Sequence, residues 1–240
     1  VKTIAIGNLK GGTGKTSTAG NLAYALRRYG NTLLVDADPQ GNLSGWLAKE
    51  PEDSTLDALD GKPLIIRELR ENLDLLTTRA IGSKLREWSD YNLTRQQFAV
   101  MDFLDGIRGK YAYCVVDLHP EANAFLERRF LAASDEVITV MAAETFSVNG
   151  LDNFLGALDT IKAQDRASFT AGRVVLNRVN RGYSIHTAYM DALKEKGLEL
   201  FVVGQAQAIA NSQLFGLFLA EHDDKSLQLK EYARLAREVA

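Results

Sequence analysis

Cysteine is almost absent. Cys114 is the only one in 240 residues, and one thiol cannot form an intramolecular disulfide. Set among apolar neighbours, it reads as a small core side chain. Histidine is nearly as scarce: His119, His186 and His222 lie far apart without ligand spacing, which argues against a zinc site. There are four prolines, no low-complexity tract and no convincing internal repeat, so neither a linker-rich chain nor a repeat array is indicated. No apolar stretch approaches the ~18–20 residues of a membrane span. No charged-then-apolar leader opens the sequence, so a cytoplasmic protein is expected. Neither sign of charge dominates. The 28 Lys and Arg against 31 Asp and Glu give a net charge of −3, which excludes a protein basic all over its surface and leaves room for a local basic patch.

What is present is ordinary for a globular protein: 46% hydrophobic and 25% charged residues. A length of 240 residues suits one doubly wound α/β domain, expected to span 1–240. Strand-like runs fall at 3–7, 32–36, 73–76, 113–117, 136–141, 173–177 and 200–203, with helix-like segments between most of them. Near-continuous apolar runs such as Thr32-Leu33-Leu34-Val35 predict a mainly parallel sheet covered by helices on both faces. A helix over 147–163 would bury Val148, Leu151, Phe154, Leu155, Leu158 and Ile161, and one near 94–107 would bury Phe98, Met101, Leu104 and Ile107. A final helix, Leu227 to Val239, would pack Leu227, Tyr232, Leu235 and Val239 on the body of the protein. The acidic stretch Lys49 to Lys62 reads as a variable insertion too short to be a domain.

Three motifs carry chemistry. Residues 10–16 read Lys-Gly-Gly-Thr-Gly-Lys-Thr, between the strand Thr3–Gly7 and a helix-like segment holding Leu22, Ala23 and Leu26. A glycine-rich turn from strand to helix aims backbone N–H groups and a helix N-terminus at phosphate oxygens. Lys15 then reaches the β- and γ-phosphates, and the Thr16 hydroxyl is placed to ligate Mg²⁺. Leu9 stands where the ordinary phosphate-loop signature needs glycine, so the pattern is the deviant K-G-G-x-G-K-[ST] form. The second motif, Asp36-Ala37-Asp38-Pro39-Gln40-Gly41-Asn42, puts two carboxylates two residues apart at a strand end. The third, Cys114-Val115-Val116-Asp117, is an apolar strand ending in a carboxylate suited to Mg²⁺, directly or through water.

Together these motifs resemble the ParA/Soj/MinD family of deviant Walker A ATPases, in its short, ParA/Soj-like form. These proteins segregate DNA or position cargo. The resemblance implies a deviant P-loop NTPase fold using ATP/ADP and Mg²⁺. It makes Lys10, Gly11, Gly12, Thr13, Gly14, Lys15, Thr16 and Ser17 the phosphate-binding set. Asp38 corresponds to the aspartate that positions or activates water, with Asp36 near the magnesium shell, and Thr16, Asp38 and Asp117 are the candidate metal residues. A lone loop lysine is ordinarily just solvated, but Lys10 occupies the place of the lysine that crosses a dimer interface to the partner's ATP, acting like an arginine finger. Lys10, Lys15 and Asp38 are thus the candidate catalytic residues. Glu144 to Gly150 resembles a family turn near the dimer face, and Asn177 matches an asparagine that hydrogen-bonds adenine in relatives. The family's Asp-[Thr/Cys]-Pro-Pro reads Asp117-Leu118-His119-Pro120 here; a histidine replaces the first proline, and an exposed loop residue is the expectation for it.

The resemblance further implies an ATP-dependent homodimer, a ParB-like activator and nucleoid association where DNA is bound. DNA binding meets a physical objection. Relatives that bind DNA nonspecifically carry arginines where this chain reads Gly204-Gln205-Ala206-Gln207-Ala208, and nonspecific affinity is built from cations at phosphates. The remaining basic cluster, 173–196, makes Arg173, Arg178 and Arg181 the candidate DNA contacts, joined by Lys194 and Lys196. A positioning ATPase directed to a protein scaffold or membrane is the alternative. A metabolic ATP-dependent ligase of the same superfamily is disfavoured by Lys10, which such ligases usually lack.

Overall fold

The computed structural model describes every residue except 94, 95, 146 and 147, with side chains left out also for 145 and 148. The element order is β1 (Lys2–Gly7), α1 (Lys15–Leu26), β2 (Thr32–Asp36), α2 (Asn42–Leu47), α3 (Ser54–Leu59), β3 (Arg67–Arg70), β4 (Leu73–Leu76), α4 (Leu85–Asn92), α5 (Ala99–Gly106) and β5 (Tyr113–Asp117). It continues with α6 (Phe125–Ala133), β6 (Glu136–Ala142), a short 3₁₀ turn (Ala143–Thr145), α7 (Val148–Asp165), β7 (Thr170–Val179), α8 (Ser184–Glu195), β8 (Glu199–Gly204), α9 (Gln207–Leu214), α10 (Leu219–His222) and α11 (Gln228–Val239).

The strands form one eight-stranded sheet in the order β3-β4-β2-β5-β1-β6-β7-β8, parallel throughout except for the antiparallel edge strand β3. Alternation along each strand feeds two cores. Ala5, Leu33, Val35, Cys114 and Val116 face the layer of α3 to α7. Ile4, Ile6, Leu34 and Val115 face the opposite layer, where α1 and α11 pack. Sequence periodicity therefore located all seven expected strands. It missed β3, whose Arg-Glu-Leu-Arg sequence has no apolar run.

Two helix expectations need correction, and the one between them holds where it is described. Helix α5 begins at Ala99, and Phe98 and Met101 are 57% and 53% exposed; Val100, Phe103, Leu104 and Ile107 carry the burial instead. The expected start at 94 lies outside the described residues. In α7 the stripe Leu151, Phe154, Leu158 and Ile161 is buried, Leu155 is partly so, and the Val148 side chain lies outside the described residues. In the last helix Tyr232, Leu235 and Val239 are buried, but Leu227 precedes the helix and is exposed. The acidic stretch from Lys49 is anchored to the body: it contains α3, with Ala58 and Leu59 in the core, and Asp60 accepts a hydrogen bond from Trp88 Nε1 at 3.0 Å.

Candidate functional site

Register assembles the site. In the parallel ladder Asp36 of β2 lies opposite Asp117 of β5, and Asp117 lies opposite Ile6 of β1. The ends of all three strands, and the loops that follow them, thus meet at the carboxyl edge of the sheet.

The loop after β1 is held in a conformation only glycine tolerates. Gly12 and Gly14 have φ of +71° and +90°, and a Cβ on Gly14 would fall 2.5 Å from the Asn177 amide nitrogen. Asn177 Nδ2 donates to the Thr13 carbonyl at 2.9 Å, clamping the loop to the end of β7. Lys15 is buried, and its Nζ donates to the Lys10 carbonyl at 3.4 Å. Burial lowers the Lys15 pKa below its ordinary value, while the Asp117 and Asp38 carboxylates pull it back up. Lys10 is exposed at the mouth of the loop.

The three aspartates have separate environments. Asp36 is fully buried and accepts from Ser44 N and Ser44 Oγ at 2.8 and 2.6 Å, and from the Asp38 amide at 3.3 Å. It caps the turn and ties β2 to α2. Asp38 faces the loop with 6% exposure, and its Oδ1 accepts from the Gln40 amide at 2.8 Å. The same Oδ1 lies 2.9 Å from His119 Nδ1. His119 is therefore engaged with the catalytic candidate, which corrects the expectation of an exposed loop histidine. Asp117 is buried with neither carboxylate oxygen hydrogen-bonded. Burial pushes its carboxyl up to about 7, with the nearby Thr16 hydroxyl and Lys15 opposing and the Asp38 charge adding to the rise.

That orphaned carboxylate, beside a threonine hydroxyl, is the hard-oxygen chemistry magnesium takes. Among the described residues no group of three His, Cys, Asp or Glu could hold a metal by itself. The donor set fits an ion shared with bound phosphates and water, as Mg²⁺ is usually held.

A cavity of about 500 Å³ is lined by the whole loop from Gly11 to Ser17 together with Asp38, Gln40, His119 and Arg178. It shares Gly14, Ser17, Arg178 and Gln213 with a neighbouring cavity of about 560 Å³, lined also by Glu144, Asn177 and residues 203–207. A larger cavity, about 750 Å³ between α3 and α5, contains none of these residues. The two cavities that share residues adjoin along one side of the phosphate loop. Residues 204–207, where a DNA surface might have been sought, line the second one.

The candidate DNA contacts are not brought together. Arg173 is held by Glu136 and, at 2.8 Å, by Glu199 in the first half of β7. Arg178 projects beside the phosphate loop and pairs with Glu144 at 3.0 Å. Lys194 and Lys196 pair with Asp191 and Asp152 at 3.6 and 2.8 Å. Of this cluster, only Arg181 has no carboxylate in ion-pair reach among the described residues.

Sequence reasoning missed the roles of His119, Arg178 and Gln213, whose amide donates to Ser17 Oγ at 2.8 Å. Only Arg178 left a signal, since it follows Asn177 at the carboxyl end of a strand.

A family model described as an AAA domain matches residues 1–171. The chain is 30% identical to the chromosome partitioning protein ParA of Caulobacter vibrioides, with 100% of this chain and 94% of that protein covered. It is 27% identical to the sporulation initiation inhibitor protein Soj of Bacillus subtilis, covering 100% and 98%. A solved structure of a McdA variant from Cyanothece in complex with ATP superposes with a TM-score of 0.86 at 22% identity, over 100% of this chain and 96% of that one. That likeness is one of fold.

Proposed function

The chain belongs to the ParA/Soj family of P-loop NTPases, and from that premise we propose that it binds and hydrolyses Mg·ATP as a dimerising switch in DNA partition or cargo positioning. One observation carries the reading: Lys15, Thr16 and Asp38 line a single cavity, with the unpaired Asp117 carboxylate behind them. The loop N–H groups and the N-terminus of α1 bind the phosphates, and Lys15 neutralises the β- and γ-oxygens. Thr16 and Asp117, with Asp38 at the cavity wall, hold the magnesium ion. Bound Mg²⁺ supplies charge neutralisation on the phosphate oxygens. Asp38 orients the attacking water and accepts its proton, giving ADP and phosphate. Asn177 and residues 203–207 receive the adenine side of the nucleotide. Lys10, exposed at the loop mouth, serves the ATP of a second copy in a sandwich dimer, and a ParB-like partner stimulates turnover. The work is cytoplasmic, on the nucleoid where DNA is the track; among the described residues no helix is long and apolar enough to cross a membrane.

A second reading, positioning on a protein scaffold without DNA, is favoured by the uncharged segment 204–208 and by the internal pairing of Arg173, Arg178, Lys194 and Lys196. The core proposal is tested by calorimetry. Wild-type protein is expected to bind Mg·ATP, and Lys15→Ala or Thr16→Ala to lose tight binding while melting as cooperatively as wild type. Unchanged affinity in both variants would overturn it.

A further inference from the structure

His119 stands opposite Asp38 for a reason of register. Asp36 and Asp117 are ladder partners, so the residues two positions beyond each, Asp38 and His119, leave the sheet side by side. The loop that carries the histidine is fixed at several points. Leu118 is buried, and Pro120 restricts the residue before it to extended geometry. The His119 carbonyl accepts from the Glu121 amide at 2.8 Å. An ionised carboxylate offers only lone pairs, so in the Asp38 contact Nδ1–H is the donor.

The arrangement at the carboxylate is asymmetric. Both the Gln40 amide and the His119 ring meet Oδ1, at 2.8 and 2.9 Å. One donor leaves a carboxylate free to swing about its terminal torsion; a second donor from another loop fixes its plane. Neither of these bonds engages Oδ2, and Asp38 lines the cavity that also holds the phosphate loop.

We infer that His119 is a positioning residue for hydrolysis, holding Asp38 by Oδ1 so that Oδ2 meets the attacking water. This rests on the ATPase reading above and adds a group outside the three motifs. The ring does no chemistry itself: although it lines the cavity, its hydrogen bond there goes to Asp38, and it carries no transferred proton. Its loss therefore acts on the chemical step and leaves nucleotide binding alone.

The experiment is steady-state ATP hydrolysis with parallel ATP calorimetry on wild type, His119→Ala, His119→Pro and His119→Asn. Proline is the residue the family usually carries here, so it removes the imidazole while suiting the loop. The amide nitrogen of asparagine reaches the place of Nδ1. Misorienting the group that activates water is expected to lower kcat about ten-fold in the Ala and Pro variants, with KM and ATP affinity within about two-fold of wild type. Asparagine should restore most of the rate. In an Asp38→Ala background, removing His119 should change nothing further, because the two act as one unit. A wild-type protein that neither binds nor hydrolyses ATP overturns the ATPase reading and this inference with it. A wild type that turns over ATP while His119→Ala and His119→Pro keep its kcat, or lose affinity in step with rate, overturns this inference alone.

Discussion

Beneath the histidine sits a carboxyl group whose ionisation opposes folding. Glu127 has no exposed surface, and its Oε2 has no hydrogen-bond partner. Burial pushes its pKa from 4.5 up to about 7, although the Arg86 guanidinium, 3.5 Å from Oε1, and His119 both draw it down. The folded state therefore binds this proton more tightly than the unfolded chain. Stability from protonation is fully present below the unfolded value and is lost as pH rises towards the folded one. Glu127→Gln keeps the shape and removes the ionisation. Its melting temperature relative to wild type should be higher at pH 8 than at pH 5. Asp117 titrates in the same window but is present in both proteins, so it cancels from the difference. A difference independent of pH would show that Glu127 is already ionised at little cost. At this scale the phosphate loop was legible because its residues are contiguous, so spacing alone encodes the chemistry. The contact of His119 with Asp38 joins residues 81 apart and exists only through strand register, which no local pattern records.

The elements were legible where burial writes a period into the sequence and illegible where it does not. Each expected strand is an apolar run, including the edge strand β8 with its Leu-Phe-Val-Val, whereas the edge strand β3 is partly exposed and carries no such run. Of the misplaced side chains, Phe98 and Leu227 immediately precede a helix, where sequence periodicity fixes the boundary least well, while Met101 lies on the exposed face within α5. The coupling of elements is open to test at the joint between the loop, α1 and β7. Gly14→Ala places a β-carbon in left-handed backbone against the Asn177 amide. The expected cost is about 1–3 kcal/mol in urea unfolding, with ATP affinity reduced. Asn177→Ala removes the obstacle and also the donor to the Thr13 carbonyl. The double variant should therefore cost less than the two singles added together, because the clash exists only when both side chains are present. Strict additivity would mean that the loop moves aside and that β7 does not hold it.

For the whole molecule, the question is what surface dimerisation makes. A sandwich that apposes two phosphate loops would bring Lys10 of each copy to the other's nucleotide and double whatever cation surface remains exposed. Little remains. A basic cluster in sequence reads as charge, but folding supplies Glu136, Glu199, Glu144 and Asp152 from outside it to pair with Arg173, Arg178 and Lys196, and Asp191 pairs locally with Lys194. Arg178 lines the phosphate cavity, so Arg178→Glu should weaken ATP binding and is unsuited to isolating a DNA surface. The Asp38→Ala protein gives a cleaner view, since it should bind ATP, hydrolyse it slowly and accumulate as a dimer by light scattering. Lys10→Ala should stay monomeric under the same conditions. Each phosphate contact contributes about one unit to the salt slope, so a dimer that offers few free cations from this cluster should bind DNA with a shallow slope and low affinity. Anisotropy with a random-sequence duplex should show ATP-dependent binding by Asp38→Ala at 50 mM salt that fades by about 150 mM, and further weakening on adding Arg181→Glu. A monomeric Asp38→Ala protein that binds ATP normally would contradict the sandwich. No DNA binding by the dimer even at low salt would shift the assignment to a protein scaffold, the track that an uncharged segment and self-paired arginines suit better.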